Sequence, residues 1–286
     1  MKPLLQITKS ALFISICAMT FSCHLFNSDD ILSKNSDSND TISNTLTAPN
    51  SIADTANFPE SKIDSTKQYI YLTFDDGPYK GSQKINKIIE EENAKATVYI
   101  VGLNAYTDEK KQFIEDYKKN PLIEVSNHTY THARNKYTSY YSNPEKVLND
   151  VKKNDTFYDI KNRFIRLPGR NVWRLGDFKK NDHDKGSINT ANLLAENNYY
   201  IVGWDYEWTR SSKNHELDSP EKIYNGMVHR LNNKLTFQDK HLVILMHDDM
   251  FDDEINAEKL RALIKLIKNN KDMILEFTSK YPFKIS

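Results

Sequence analysis

The chain has 286 residues, 38% of them apolar and 27% charged, which suits one globular domain of roughly 200–250 residues plus additional segments. A mean hydropathy of −0.68 excludes a polytopic membrane protein. Formal net charge is zero, so neither a nucleic-acid partner nor an anionic surface has electrostatic support.

The first segment reads as an export leader. Lys2 and Lys9 precede an apolar run from Ala11 to Phe21, too short to span a membrane as a stable helix but suited to the core of a signal. The run ends in MTFSC, with Cys23 after the small residue Ser22. This is similar to a loose bacterial lipobox, so residues 1–22 are expected to be a lipoprotein-type signal peptide and Cys23 the lipidated residue. An ordinary signal with an incidental cysteine is the plainer alternative. The only other cysteine, Cys17, lies inside the leader, so a mature chain has no internal disulfide and no cysteine metal site. Loss of residues 1–22 removes two lysines and no acid, leaving a formal charge of −2.

Residues 23–66 are rich in Ser, Asn, Asp and Thr without any period. Such a stretch cannot bury enough surface to offset chain entropy, so a disordered tether is expected. Together these segments imply an exported protein of the bacterial cell envelope, held to a membrane only through Cys23, with its domain in the periplasm or at the surface.

From residue 67 to 286 short apolar runs alternate with helical patterns. The runs are 69–74, 96–101, 122–125, 164–167, 199–204 and 242–246, with a weak seventh near 274–283. Helical segments are expected at 82–92, 108–119, 144–159, 187–197, 220–232 and 256–270. In the last, Leu260, Leu263, Ile264 and Ile267 form an amphipathic stripe. Strand then helix, repeated about seven times, predicts an α/β fold with parallel strands. A closed or nearly closed barrel suits it best, because the polar motifs all fall where strands end.

Those motifs are Asp75–Asp76 after the first run, SNHTYTH with His128 and His132 after the third, and RLPGR from Arg166 after the fourth. WDYEW from Trp204 and LMHDD with His247 and Asp248 follow the fifth and sixth. Singly each is weak. An Asp-Asp-Gly is commonly a capped turn, and His-x3-His puts two imidazoles on one face only if that segment is helical. Convergence at one end of successive strands changes the reading. Two histidines and one carboxylate then make a three-ligand site with open positions, the pattern of a hydrolytic metal. A second carboxylate beside it can take the proton of a water, and a histidine across the site can protonate a leaving group. Two carboxylates from one strand end are poorly placed to flank a glycosidic bond.

The order Thr-Phe-Asp-Asp-Gly-Pro, Asn-His-Thr-x-x-His, Arg-x-Pro, an acid-Trp pair and Leu-x-His-Asp resembles the polysaccharide deacetylase family, the NodB-homology domain of carbohydrate esterase family four. ATVYIVG, residues 96–102, is similar to that family's second strand. The resemblance spans about residues 68–286. It implies a single catalytic domain with a distorted (β/α)7 barrel and one divalent metal ion, zinc or else cobalt, nickel or manganese. It further implies removal of N- or O-linked acetyl groups from an acetylated polysaccharide. Carried over by position, Asp75 is the catalytic base, Asp76, His128 and His132 hold the metal, Arg166 orients the base and His247 is the general acid. Glu207, or else Asp205, supports His247, and Gly169, Trp208 and Tyr130 are the implied substrate contacts.

Three departures fall on the groove side. Gly169 and Arg170 follow Pro168 where the family often has an aromatic residue. The fourth motif, Asp205-Tyr206-Glu207-Trp208, is one residue short. The stretch NVWRLGDFKKNDHDKG reads as an extended loop. Two other readings stand beside the enzyme: a degenerate barrel that binds glycan without turnover, and a hydrolase of a different amide on the same scaffold.

Overall fold

The computed structural model describes residues 63–182, 185–211 and 216–283. The chain divides into two units, Met1–Asn57 and Phe58–Ser286. The leader, Cys23 and the tether up to residue 62 lie outside the described residues. The last four tether residues form a turn in which the Asp64 carboxylate accepts from the N–H and hydroxyl of Thr66, and Ile63 packs on an apolar cluster of the barrel.

Seven parallel strands make the body of the sheet. They are β1 (Gln68–Asp75), β2 (Ala96–Ile100), β3 (Ile123–Asn127), β4 (Phe164–Ile165), β7 (Tyr200–Ile201), β8 (Tyr206–Glu207) and β9 (His241–His247), in spatial order β7-β4-β3-β2-β1-β9-β8. The central ones are buried on both faces, which is why they read as continuous apolar runs rather than as alternations. No ladder joins β7 to β8 among the described residues, so the barrel is curled but open there. The weak seventh run forms β10 (Met273–Leu275), which pairs with the first half of β1.

Among the described residues seven helices accompany the sheet: α1 (Gly81–Glu91), α2 (Asp108–Lys119), α3 (Tyr137–Tyr141), α4 (Pro144–Tyr158), α5 (Ile188–Glu196), α6 (Pro220–Asn232) and α7 (Glu254–Asn269). Their starts are legible in the sequence. The side chains of Thr107, Asn143, Ser219 and Asp253 each cap a helix by accepting from a backbone N–H three residues on, and Pro144 and Pro220 stand at first positions. The α7 stripe of Leu260, Leu263, Ile264 and Ile267 is fully buried, as expected.

Two expectations are corrected. The segment after Arg170 is not a plain loop: β5 (Trp173–Leu175) and β6 (Phe178–Lys180) form an antiparallel hairpin whose first strand also pairs with β7. The fifth run is broken rather than continuous to Trp204. The carbonyls of Val202 and Gly203 turn inward and accept from the Arg166 guanidinium, so the ladder stops at Ile201 and resumes at Tyr206 on the other side of the opening.

Candidate active site

The sheet registers bring the predicted motifs together. Asp75 ends β1 and is the register partner of His247, the last residue of β9. Asn127 ends β3 opposite Ile165, which sets His128 beside Arg166. Asp75, His128, Arg166 and His247 therefore stand at the C-terminal edge of the sheet.

Arg166 is fully buried. Its Nη1 donates to Asp75 Oδ1 at 2.8 Å and to Thr73 Oγ1 at 2.7 Å, while Nε and Nη2 donate to the carbonyls of Val202 and Gly203. The guanidinium lies 4.4 Å from the Tyr99 ring centroid. A planar fork tied on three sides holds the Asp75 carboxylate in one orientation.

Asp76 follows with a left-handed backbone, φ 70°. Its Oδ1 lies 3.1 Å from His132 Nε2 and 3.4 Å from His128 Nε2. His128 is buried, and its Nδ1 donates to the Arg166 carbonyl at 2.9 Å, which leaves the Nε2 lone pair facing Asp76. Asp76 Oδ1 itself is buried without a hydrogen-bond partner. One ligand atom from each of Asp76, His128 and His132 lies within 4.8 Å of the others. An oxygen and two imidazole nitrogens converging this way fit a divalent cation of the zinc type. Burial alone would push the Asp76 carboxyl up, but the close approach and charges of His128 and His132 outweigh it and hold Asp76 far below the usual carboxylate range. Burial opposes charging of His128, yet Asp75 and Asp76 prevail and its affinity for a proton is raised. Protons and a metal thus compete for the same atoms.

The His-x3-His spacing works without a helix. Thr129 and His132 have φ of 68° and 48°, so His132 returns to Asp76 on a tight turn. The His132 N–H donates to Thr129 Oγ1 at 3.1 Å within that turn.

His247 is half-buried, and its backbone N–H donates to Met250 Sδ at 3.4 Å. Next to it Asp248 is fully buried beneath the β1 loop, accepting from Ser82 Oγ and from Tyr117 Oη at 3.1 Å. Burial pushes its carboxyl up to about 7, against the hydrogen bonds of Ser82 and Tyr117 and with the charges of Asp76 and Asp75. Gly77 packs on that carboxylate so closely that a Cβ would stand 2.3 Å from Asp248 Oδ2.

Not every predicted residue reaches the site. Asp205 is a strand clamp: its carboxylate accepts from the N–H groups of Phe237 at 2.6 Å and Val243 at 2.9 Å. Val243 lies four positions before His247 on β9, roughly 13 Å along an extended strand, so Asp205 does not support that imidazole. Glu207 pairs in register with Leu245, two positions before His247, and makes no hydrogen bond or ion pair to it among the described residues. Trp208 is also corrected as a substrate contact. It has no exposed surface, donates from Nε1 to the Asp218 carbonyl at 3.1 Å and meets Phe251 edge-on. Gly169 is exposed with φ 63°, and the Tyr137 ring lies against it. Tyr130 is half-buried on the flank, beneath the Lys153 ammonium at 3.8 Å and edge-on to Phe157.

Several contributors were not predicted. Thr73 and Asn127 are strand residues whose polar side chains inside apolar runs were the available signal. Asn127 accepts from the Thr129 N–H at 2.6 Å and so starts the turn to His132. Tyr137, whose ring stands 6.0 Å from that of His132, lies on a five-residue helix with no periodic signature.

Comparison with known proteins agrees with this site. The polysaccharide deacetylase family profile matches residues 62–172, which include Asp75, Asp76, His128, His132 and Arg166. The chitin disaccharide deacetylase of Vibrio alginolyticus is 27% identical, with 50% of this chain and 48% of that enzyme covered, so the match spans about half of that relative's length. Among solved structures, the catalytic domain of a peptidoglycan N-acetylglucosamine deacetylase from Eubacterium rectale has a TM-score of 0.54 at 19% identity, covering 78% of this chain and 94% of that one. A family 4 carbohydrate esterase from Streptococcus mutans has a TM-score of 0.57 at 18% identity, covering 73% and 86%. These likenesses establish the distorted (β/α)7 barrel fold.

Proposed function

We propose that this chain, matched to the polysaccharide deacetylase family over residues 62–172, is a metal-dependent hydrolase that removes N-linked acetyl groups from an N-acetylglucosamine-containing glycan. The observation that carries the reading is the juxtaposition of Asp76, His128 and His132 with the Arg166–Asp75 pair. The chitin disaccharide deacetylase supports the choice of an N-acetylated sugar. In this reading the leader and Cys23 tether the domain to a membrane of the cell envelope.

Asp76 Oδ1 and the Nε2 atoms of His128 and His132 would hold the ion, Zn2+ being the one their chemistry suits best. A divalent ion there supplies Lewis-acid polarisation of the acetyl carbonyl and a lowered pKa for water. Asp75, held in one orientation by Arg166, takes the proton of the attacking water. As the C–N bond breaks, the leaving nitrogen must gain a proton to depart as an amine, with acetate as the other product. His247, the register partner of Asp75 on β9, would deliver it. Tyr137, beside His132 and Gly169, offers the sugar a ring face.

The test is acetate release from a panel of chitin oligosaccharides, peptidoglycan and acetylated xylan, with metal analysis of the purified protein. Release from the N-acetylated members by a protein holding about one divalent ion is expected. Binding without release would favour the non-catalytic barrel, and release from the xylan alone would move the bond class to esters.

A further inference from the structure

The two imidazoles are held in different ways. His128 stands directly on the edge of the sheet, buried, with Nδ1 bonded to a strand carbonyl. His132 stands on a turn in which Thr129, His132, Ala133, Arg134 and Asn135 all have φ between 46° and 68°. For residues with a Cβ this conformation is disfavoured, and such a run persists only where its surroundings over-determine it.

One side chain outside the site supplies that constraint. Asp150, on α4, uses Oδ2 to accept from the Thr131 N–H at 3.0 Å, from Thr131 Oγ1 at 2.8 Å and from Tyr140 Oη at 2.8 Å. Thr131 immediately precedes His132, so this oxygen pins the turn to the helix just before the ligand. Asp150 is bonded to neither imidazole and lies outside every motif read from the sequence.

We propose that Asp150 is a positioning residue for His132. By fixing Thr131 it keeps His132 Nε2 at 3.1 Å from Asp76 Oδ1, and so sets the affinity of the site for its divalent ion. The inference rests on the metal reading above.

The experiment measures the Zn2+ dissociation constant of the full chain by competition with a chromophoric chelator, alongside the Tm of each metal-free protein. Asp150→Ala should bind Zn2+ about 10–100-fold more weakly, the usual effect of losing a partner that orients a ligand. Asp150→Asn, which keeps the shape and one acceptor oxygen, should fall between the two and serves if the alanine variant does not fold. Asn143→Ala is the control: Asn143 caps α4 through Lys146 without touching Thr131, so it should lower Tm with Zn2+ affinity unchanged. The proposal fails if Asp150→Ala and Asp150→Asn bind Zn2+ as the wild type does. It also fails if Asn143→Ala weakens binding as much as Asp150→Ala, since helix integrity would then be the cause. A wild-type chain that binds no Zn2+ overturns the metal reading itself, a distinct result.

Discussion

Arg166 Nη1 and Asp75 Oδ1 meet at 2.8 Å with both side chains almost wholly removed from solvent. The pair is buried, and the Asp75 carboxylate borders the Asp76–His128–His132 cluster, its Oδ2 lying 3.6 Å from His128 Nε2. Asp75→Asn keeps the shape of the acid and removes its proton affinity. It should retain the divalent ion but lose turnover by about 10²–10⁴-fold, the range expected of a general base. Near-normal acetate release by a folded Asp75→Asn would place the base elsewhere.

Arg166→Lys tests the other partner. A single ammonium cannot meet Thr73, Asp75, Val202 and Gly203 together. Lysine keeps the charge beside Asp75, but each buried acceptor it leaves unmet costs roughly 1–3 kcal/mol. The variant should therefore show both a clear drop in Tm by calorimetry and a loss of turnover. Unchanged stability would mean that the carbonyls, not the guanidinium, hold this part of the barrel.

The ligand set predicts its own pH dependence. Without metal, His128 holds a proton more firmly than an ordinary imidazole because Asp75 and Asp76 outweigh the effect of its burial. Binding an ion must displace that proton. Zn2+ affinity measured by chelator competition should fall as pH drops toward the acid side, and the slope should be reduced in His128→Ala, where His132 is the remaining imidazole, together with a loss of most of the affinity. An affinity flat from neutral pH to pH 5 would remove His128 from the ligands.

How far the sequence discloses this site depends on where each residue sits. Asp75, Asp76, His128, Arg166 and His247 end or follow strands whose burial makes them readable, and parallel register then brings them together. Residues whose partners depend on tertiary detail were misread. Asp205 and Glu207 share a strand parity, and parity alone cannot say that Asp205 meets backbone N–H groups near the other end of β9. Trp208 was an implied substrate contact, but the ring is buried in the core. Asp150 left no trace at all, because a polar residue on a helix looks like a solvated face until its partners are known.

The clamp role of Asp205 yields a contrast with catalysis. Asp205→Asn leaves an amide that can accept one N–H but presents its own N–H groups to the other. It should lower Tm while leaving the pH profile of turnover in place. A shifted profile would return Asp205 to the support of His247.

The last prediction concerns His241, at the opposite end of β9 from His247. It is buried, its ring lies 5.0 Å from that of Tyr69 and nearly parallel to it, and Nδ1 meets Tyr71 Oη at 2.8 Å. Burial pushes its pKa down to about 4, with only Asp239 pulling the other way. In the unfolded chain the same ring titrates near 6.5. Between those values the unfolded state takes up a proton that the folded state refuses, so His241 costs stability progressively as pH falls from 6.5 toward 4. Asp205 acts in the opposite sense. Burial raises its carboxyl to about 6, so the stability it contributes is present at low pH and lost as pH rises through that value. Comparing variants with the wild type separates the two. His241→Phe keeps an aromatic ring against Tyr69 but strands the Tyr71 hydroxyl, which should cost about 1–3 kcal/mol at neutral pH. Adding Tyr71→Phe should recover part of that loss. In both variants Tm should decline less steeply than in the wild type between pH 6.5 and 4, whatever the offset at neutral pH. If wild type and variants instead give parallel lines of Tm against pH, His241 is not the group that titrates on unfolding.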